Sequence, residues 1–211
     1  MLLLEHKRKD RSARRLGMAA LALMMGLATA TPSLAIDARR PNAAFVPIKA
    51  EAMPPDGASH LCSTYSWACA KSGSTMQIGE AEIEVIRAIN TSANRTIRPV
   101  SDMQQYRISE RWALPTKRGG DCEDYAIYKK QELIRAGFPP EQLLIAAVLD
   151  RKRQSHAVLV VRTGSQDLVL DNLTDRIVSW QKTGYTFLRM QDPRQPQRWG
   201  QVLAGGIFSG S

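Results

Sequence analysis

Cys122 sits in the run Arg118-Gly119-Gly120-Asp121-Cys122-Glu123-Asp124-Tyr125, where a thiol opens a stretch of helix-forming residues. A cysteine in the first turn of a helix meets unpaired backbone N–H groups and the positive end of the helix dipole, which favour thiolate. The two glycines let the backbone approach closely, so that a substrate can reach the sulfur. Carboxylates on both sides argue against a cysteine buried only as a small hydrophobe. A nucleophilic thiol needs a base, and the histidines are His6, His60 and His156. His60 lies in an irregular arm, whereas His156 opens the apolar stretch Ser155-His156-Ala157-Val158-Leu159-Val160-Val161. If that stretch folds back as a hairpin turning at Thr163-Gly164, His156 lies opposite Asp171, with Cβ atoms about 5 Å apart. Asp171 would then fix the imidazole tautomer and stabilise its charged form. Asp167 and Asp175 are the competing carboxylates.

The elements that must position these groups read as helices first and strands afterwards. Ile78, Val85, Ile86 and Ile89 keep helical spacing among acids between about Met76 and Ala93. A loop rich in Pro and Gly surrounds a short helix near Ser101–Tyr106. The helix carrying Cys122 has Asp121 as N-cap, acids in its first turn and Gly137 at its end, and Phe138-Pro139-Pro140 stops it. Strands follow at Leu143–Leu149, Ala157–Val161 and Leu168–Leu170, with a fourth at Ile177–Trp180. This order predicts an α+β domain with the nucleophile's helix on an antiparallel sheet. Residues 36–60, with Pro41, Pro47, Pro54 and Pro55, read as an extended lead-in. Residues 192–211, with Gly205-Gly206, read as a loosely ordered tail.

The first 35 residues read as an address. Lys7-Arg8-Lys9 and Arg14-Arg15 precede an apolar run from Leu16 to Ala28, too short for a bilayer, which takes about 20 residues. Small residues at Ser33 and Ala35 complete a secretory signal cleaved after Ala35, with Ala30 the alternative, so no membrane span is expected afterwards. Arg14-Arg15 would suit twin-arginine export, although paired arginines also occur in ordinary signals. The segment carries six basic and two acidic residues, so the net charge of +9 falls to +5 without it. The remaining cations are scattered with no aromatic-basic stripe, which excludes nucleic-acid binding as a leading reading. In an oxidising compartment three cysteines cannot all pair. Cys62 and Cys69 make a natural local disulfide, and Cys122 is left free.

Gly119-Gly120-Asp121-Cys122-Glu123-Asp124-Tyr125-Ala126, then His156, then Leu170-Asp171-Asn172, with Trp112 and Pro115 ahead, resembles the bacterial transglutaminase-like cysteine proteinases of the LapG type. The resemblance implies a papain-like/transglutaminase-like core over residues 61–191, with Cys122 as nucleophile, His156 as base and Asp171 as orienting acid. It implies a periplasmic location. In calcium-dependent members the acids flanking the cysteine bind the ion, and the matching positions are Asp121, Glu123 and Asp124. A physical reason agrees: three carboxylates would raise the thiol pKa, and calcium, an oxygen-seeking ion, would neutralise them. Relatives of this type cut a large surface adhesin and are sequestered by an inner-membrane cyclic-di-GMP receptor, which the resemblance offers as substrate and partner.

The reading is an exported cysteine endopeptidase acting through an acyl-enzyme. The Cys122 N–H is the first oxyanion-hole donor. Two other readings use the same residues: acyl transfer to an amine, as in transglutaminases, and a non-catalytic periplasmic binding module.

Overall fold

The computed structural model describes residues 44–209, and the signal-peptide reading of residues 1–35 lies outside them. Strand β1 (Ala50–Ala52) comes first, followed by a short helix α1 (Leu61–Thr64). Helix α2 (Glu80–Thr96) starts four residues later than the apolar spacing predicts, because the Glu82 side chain reaches back to accept the Gly79 N–H at 2.8 Å and sets the first turn there. Helix α3 (Asp102–Tyr106) is started by Ser101, whose hydroxyl accepts the Gln104 N–H.

Helix α4 (Cys122–Arg135) ends as its sequence predicts. Gly137 adopts a φ of 95°, Phe138 N–H returns to Leu133 O, and Gly137 N–H returns to Ile134 O. That pairing satisfies the last carbonyls and needs a residue without Cβ penalty at the left-handed position.

The strands β2 (Leu143–Leu149), β3 (Ser155–Arg162), β4 (Asp167–Leu170), β5 (Val178–Ser179), β6 (Thr186–Asp192) and β7 (Gln195–Ala204) join β1 in one antiparallel sheet. Its order is β1-β7-β6-β2-β3-β4-β5. Alternation divides the core into two layers. Leu143, Ile145, Ala157, Leu159 and Val161 pack with Ile86 of α2 and Ile127 and Leu133 of α4. Leu144, Ala146, Val158 and Val160 pack instead with Trp180, Phe187, Met190 and Val202. Burial on both faces explains why β2 and β3 read as continuous apolar runs.

Two expectations need correction. Residues 192–209 of the expected loose tail are ordered: β7 is paired on one edge to β6 and on the other to β1, and Trp199 and Val202 are buried. Gly200, which lowers the strand signal, is required because a Cβ there would run into the Ile48 side chain. From residue 44 onward the lead-in is also tied down. Its Val46 N–H is held by Asp167 Oδ2 at 2.8 Å, and its residues 50–52 form β1. The core domain therefore extends on both sides of residues 61–191.

Candidate active site

Cys122 is the first residue of α4, and the structure leaves it a free, half-buried thiol; Cys62 and Cys69 form the disulfide. A turn closed by reciprocal Thr116 and Gly119 backbone bonds delivers the chain to it, and Gly120 bonds Arg98 O and the Val100 N–H on either side. The glycines are used differently from the sequence expectation. A Cβ on Gly119, whose φ is 124°, would overlap the Arg98 carbonyl, and one on Gly120 would press on the Asp124 side chain. They admit neighbouring protein rather than substrate. Asp121 occupies the cap position, but its side chain makes no cap bond; Oδ2 accepts the Asp102 N–H at 2.9 Å instead.

His156 Nε2 lies 2.9 Å from Asp171 Oδ1. Asp171 also accepts the Leu173 N–H at 3.0 Å and the Tyr185 hydroxyl at 2.5 Å. The Tyr185 ring stands edge-on to the imidazole, with centroids 5.7 Å apart. The hairpin register differs from a two-residue turn at Thr163-Gly164: Arg162 pairs with Asp167 and Leu159 with Leu170, a slip of two residues. Thr163 bonds across to Gln166, so the turn is wider. An even slip keeps each side chain on its own face, which is why Asp171 still meets His156, diagonally rather than directly. Asp167 is engaged by Arg162 Nε and Nη2 at 2.9 and 2.8 Å, and Asp175 accepts from Asn94 at 2.8 Å. Neither competitor is placed at the imidazole.

Cys122, Glu123, Trp112, Ser155 and His156 line one cleft of about 420 Å³. The thiol donates to Glu123 Oε2 at 3.2 Å. Burial, the Glu123 carboxylate and its hydrogen bond push the Cys122 thiol above its ordinary range, against a smaller pull from the Ala157 N–H. Burial and the Glu123 carboxylate therefore outweigh the helix-terminus argument for a thiolate. Burial also raises Asp171, but hydrogen bonds from His156, Leu173 N–H and Tyr185 outweigh it and hold the carboxyl below its usual range.

Of the three acids flanking or following the thiol, two come together with a third from elsewhere. Carboxylate oxygens of Asp102, Asp121 and Glu123 lie within 4.8 Å of one another. Asp124 is not among them: it is buried, its Oδ1 anchors the Ala113 N–H at 3.0 Å, and its Oδ2 is buried without a hydrogen-bond partner. Burial pushes the Asp124 carboxyl up to about 8, and burial together with Asp121 pushes Glu123 up to about 9. Asp102 Oδ1 and Asp121 Oδ1 are buried without a hydrogen-bond partner. Sequence reasoning missed Asp102, which lies 19 positions before Asp121, and Tyr185. No motif marks either.

A family model described as bacterial transglutaminase-like cysteine proteinase matches residues 48–206. Among solved structures, calcium-bound Legionella pneumophila LapG superposes with a TM-score of 0.50 at 24% identity, covering 64% of this chain and 76% of that one. A second Legionella pneumophila LapG structure gives 0.48 at 22% identity, with 64% and 75% covered. The EGTA-treated form gives 0.45 at 21% identity, with 67% and 83% covered. No curated protein matches. A match over three quarters of the sequence, on a mixed fold of helices and antiparallel sheet, places the chain among the bacterial transglutaminase-like cysteine proteinases, and it is a cysteine peptidase.

Proposed function

We propose that Cys122, His156 and Asp171 form the catalytic triad of an exported endopeptidase, supported chiefly by the 2.9 Å His156–Asp171 contact beside the cleft that holds the thiol. Because Nε2 is committed to Asp171, Nδ1 is the imidazole nitrogen that takes the thiol proton. The sulfur attacks a peptide carbonyl, and the Cys122 N–H at the start of α4 supports the developing oxyanion. His156 then returns the proton to the leaving amine, and water, deprotonated by the same nitrogen, releases the acyl group. Asp171 stays ionised throughout and keeps the ring in place. Tyr185 and the Leu173 N–H in turn hold Asp171.

Calcium belongs at Asp102, Asp121 and Glu123 in this reading. Two buried carboxylate oxygens without partners in an all-oxygen cluster fit a hard cation. Held there, calcium would supply positive charge that offsets these three carboxylates, of which Glu123 touches the thiol. Asp124 anchors the Trp112–Leu114 segment instead of ligating. A protein substrate follows from the peptidase assignment. The periplasmic location, an adhesin substrate and a cyclic-di-GMP receptor as partner rest on the LapG-type resemblance, and among the described residues no helix is long and apolar enough to cross a membrane.

The test compares the wild-type protein with Cys122→Ala on the producing cell's exported proteins, with and without a chelator. The expected result is cleavage lost in the variant and on chelation. Cleavage by Cys122→Ala would refute the triad, and full activity under chelation would refute the calcium requirement alone.

A further inference from the structure

Behind the triad lies a second hollow, of about 290 Å³, with Asp171 and Tyr185 among its lining residues. Arg151, Lys152, Arg176 and Lys182 line it as well, all four exposed. No salt bridge joins any of them to an acid among the described residues; Arg151 only donates to Thr183 O at 2.8 Å. The two carboxylates of the lining are spent on the protein itself. Asp150 Oδ1 accepts the Lys152 and Gln154 N–H groups, closing the turn between β2 and β3. Asp171 is saturated by His156, Leu173 and Tyr185. Against the two lining carboxylates, the four cations leave a net positive charge, which a concave surface focuses. The wall is also apolar: Val178 contributes, and Leu173 is 61% exposed at the rim. Cations alone would suit any small anion, but cations beside an exposed aliphatic wall suit a peptide that carries both acid and aliphatic side chains.

The position connects this hollow to catalysis. The β2–β3 turn that supplies Asp150, Arg151 and Lys152 leads directly into Ser155 and His156, which line the thiol's cleft. We propose that the basic hollow binds an acidic, aliphatic segment of the protein substrate, giving the peptidase a preference for cleavage next to such segments. This rests on the peptidase reading above.

Two measurements test it. Fluorescence anisotropy of a labelled decapeptide of Asp, Leu and Ala, with Cys122→Ala protein, reads binding without cleavage. Its companion carries Asn for each Asp. The expected result is at least tenfold tighter binding of the acidic peptide at low salt, with the preference abolished in a Lys152→Glu/Arg176→Glu background and weakened by added salt. Equal binding of the two peptides, or a preference that survives charge reversal, overturns the proposal. Inorganic phosphate that displaces the peptide at the peptide's own dissociation constant would also overturn it, by showing a simple anion site. In the second measurement, wild-type protein is given a randomised decapeptide library of Asp, Asn, Leu, Ala and Gly. Asp enriched beside the cut, and not enriched with the charge-reversed enzyme, is expected; no enrichment overturns the substrate role. If nothing is cut in a Cys122-dependent way, the peptidase reading fails, while the anisotropy result still decides whether the hollow takes acidic peptides.

Discussion

Lys130 lies in the helix that carries the thiol, and its side chain is fully buried. Its Nζ donates to Gln191 Oε1 at 2.9 Å, with Glu141 the acid that acts on it. Burial lowers its pKa from 10.5 to about 7, against the smaller pull of Glu141. Between those two values the unfolded chain binds a proton that the folded chain releases, so this residue's contribution to stability rises with pH. At pH 7 the shift corresponds to a penalty of about 4 kcal/mol. Lys130→Met removes that penalty at similar volume, and forfeits a charge-assisted hydrogen bond of about 2 kcal/mol. Gln191 Oε1 keeps the Ile145 N–H at 3.1 Å, so no acceptor is orphaned. The variant is expected to be more stable than wild type by about 2 kcal/mol at pH 7, with the gain falling by about 1.4 kcal/mol per pH unit and gone before pH 10. Urea unfolding of both proteins across that range gives the difference, in which the titrations common to both cancel. A variant less stable than wild type at pH 7, or a gap that does not change with pH, would refute the reasoning.

Three other outcomes follow from the site and the sheet. Tyr185→Phe removes the 2.5 Å bond to Asp171; kcat/KM should fall about tenfold or more, and the acid limb of its pH profile should move up, because Asp171 loses one of the donors that lower its pKa. Asp102→Asn should weaken calcium binding at least tenfold by calorimetry, whereas Asp124→Asn should mainly lower stability, by about 1–3 kcal/mol, through the Ala113 anchor. The reverse ranking would return the metal to the three acids around the thiol. A chain ending after Asp192 should lose near-ultraviolet dichroism, since it lacks the strand that joins β1 to β6; a folded truncation would show that β7 is dispensable.

What was legible in the sequence was local. The α4 boundaries could be read from the first-turn acids and Gly137, since these signals act within a few positions, although the Asp121 side chain bonds Asp102 rather than capping the helix. The apolar runs of β2 and β3 announced strands because both of their faces are covered. The even spacing that keeps Asp171 on the face of His156 was also readable, although the turn at Thr163–Gln166 was two residues wider than expected. The free thiol followed from counting cysteines.

Tertiary structure decided the rest, because those choices depend on what distant segments bring. Asp102 joins Asp121 and Glu123 only because the chain at residues 98–100 is bonded alongside Gly120. Asp124 leaves that cluster because the Trp112–Leu114 segment offers it an N–H. The thiol's preference was set by burial and the Glu123 carboxylate rather than by the helix terminus alone. The last strand, broken by Gly200 and flanked by Gly205-Gly206, gains its order from pairing on both edges, a stabilisation that no window of its own residues contains. Residue types and short spacings determined which groups could do chemistry here; long-range pairing determined which of them meet.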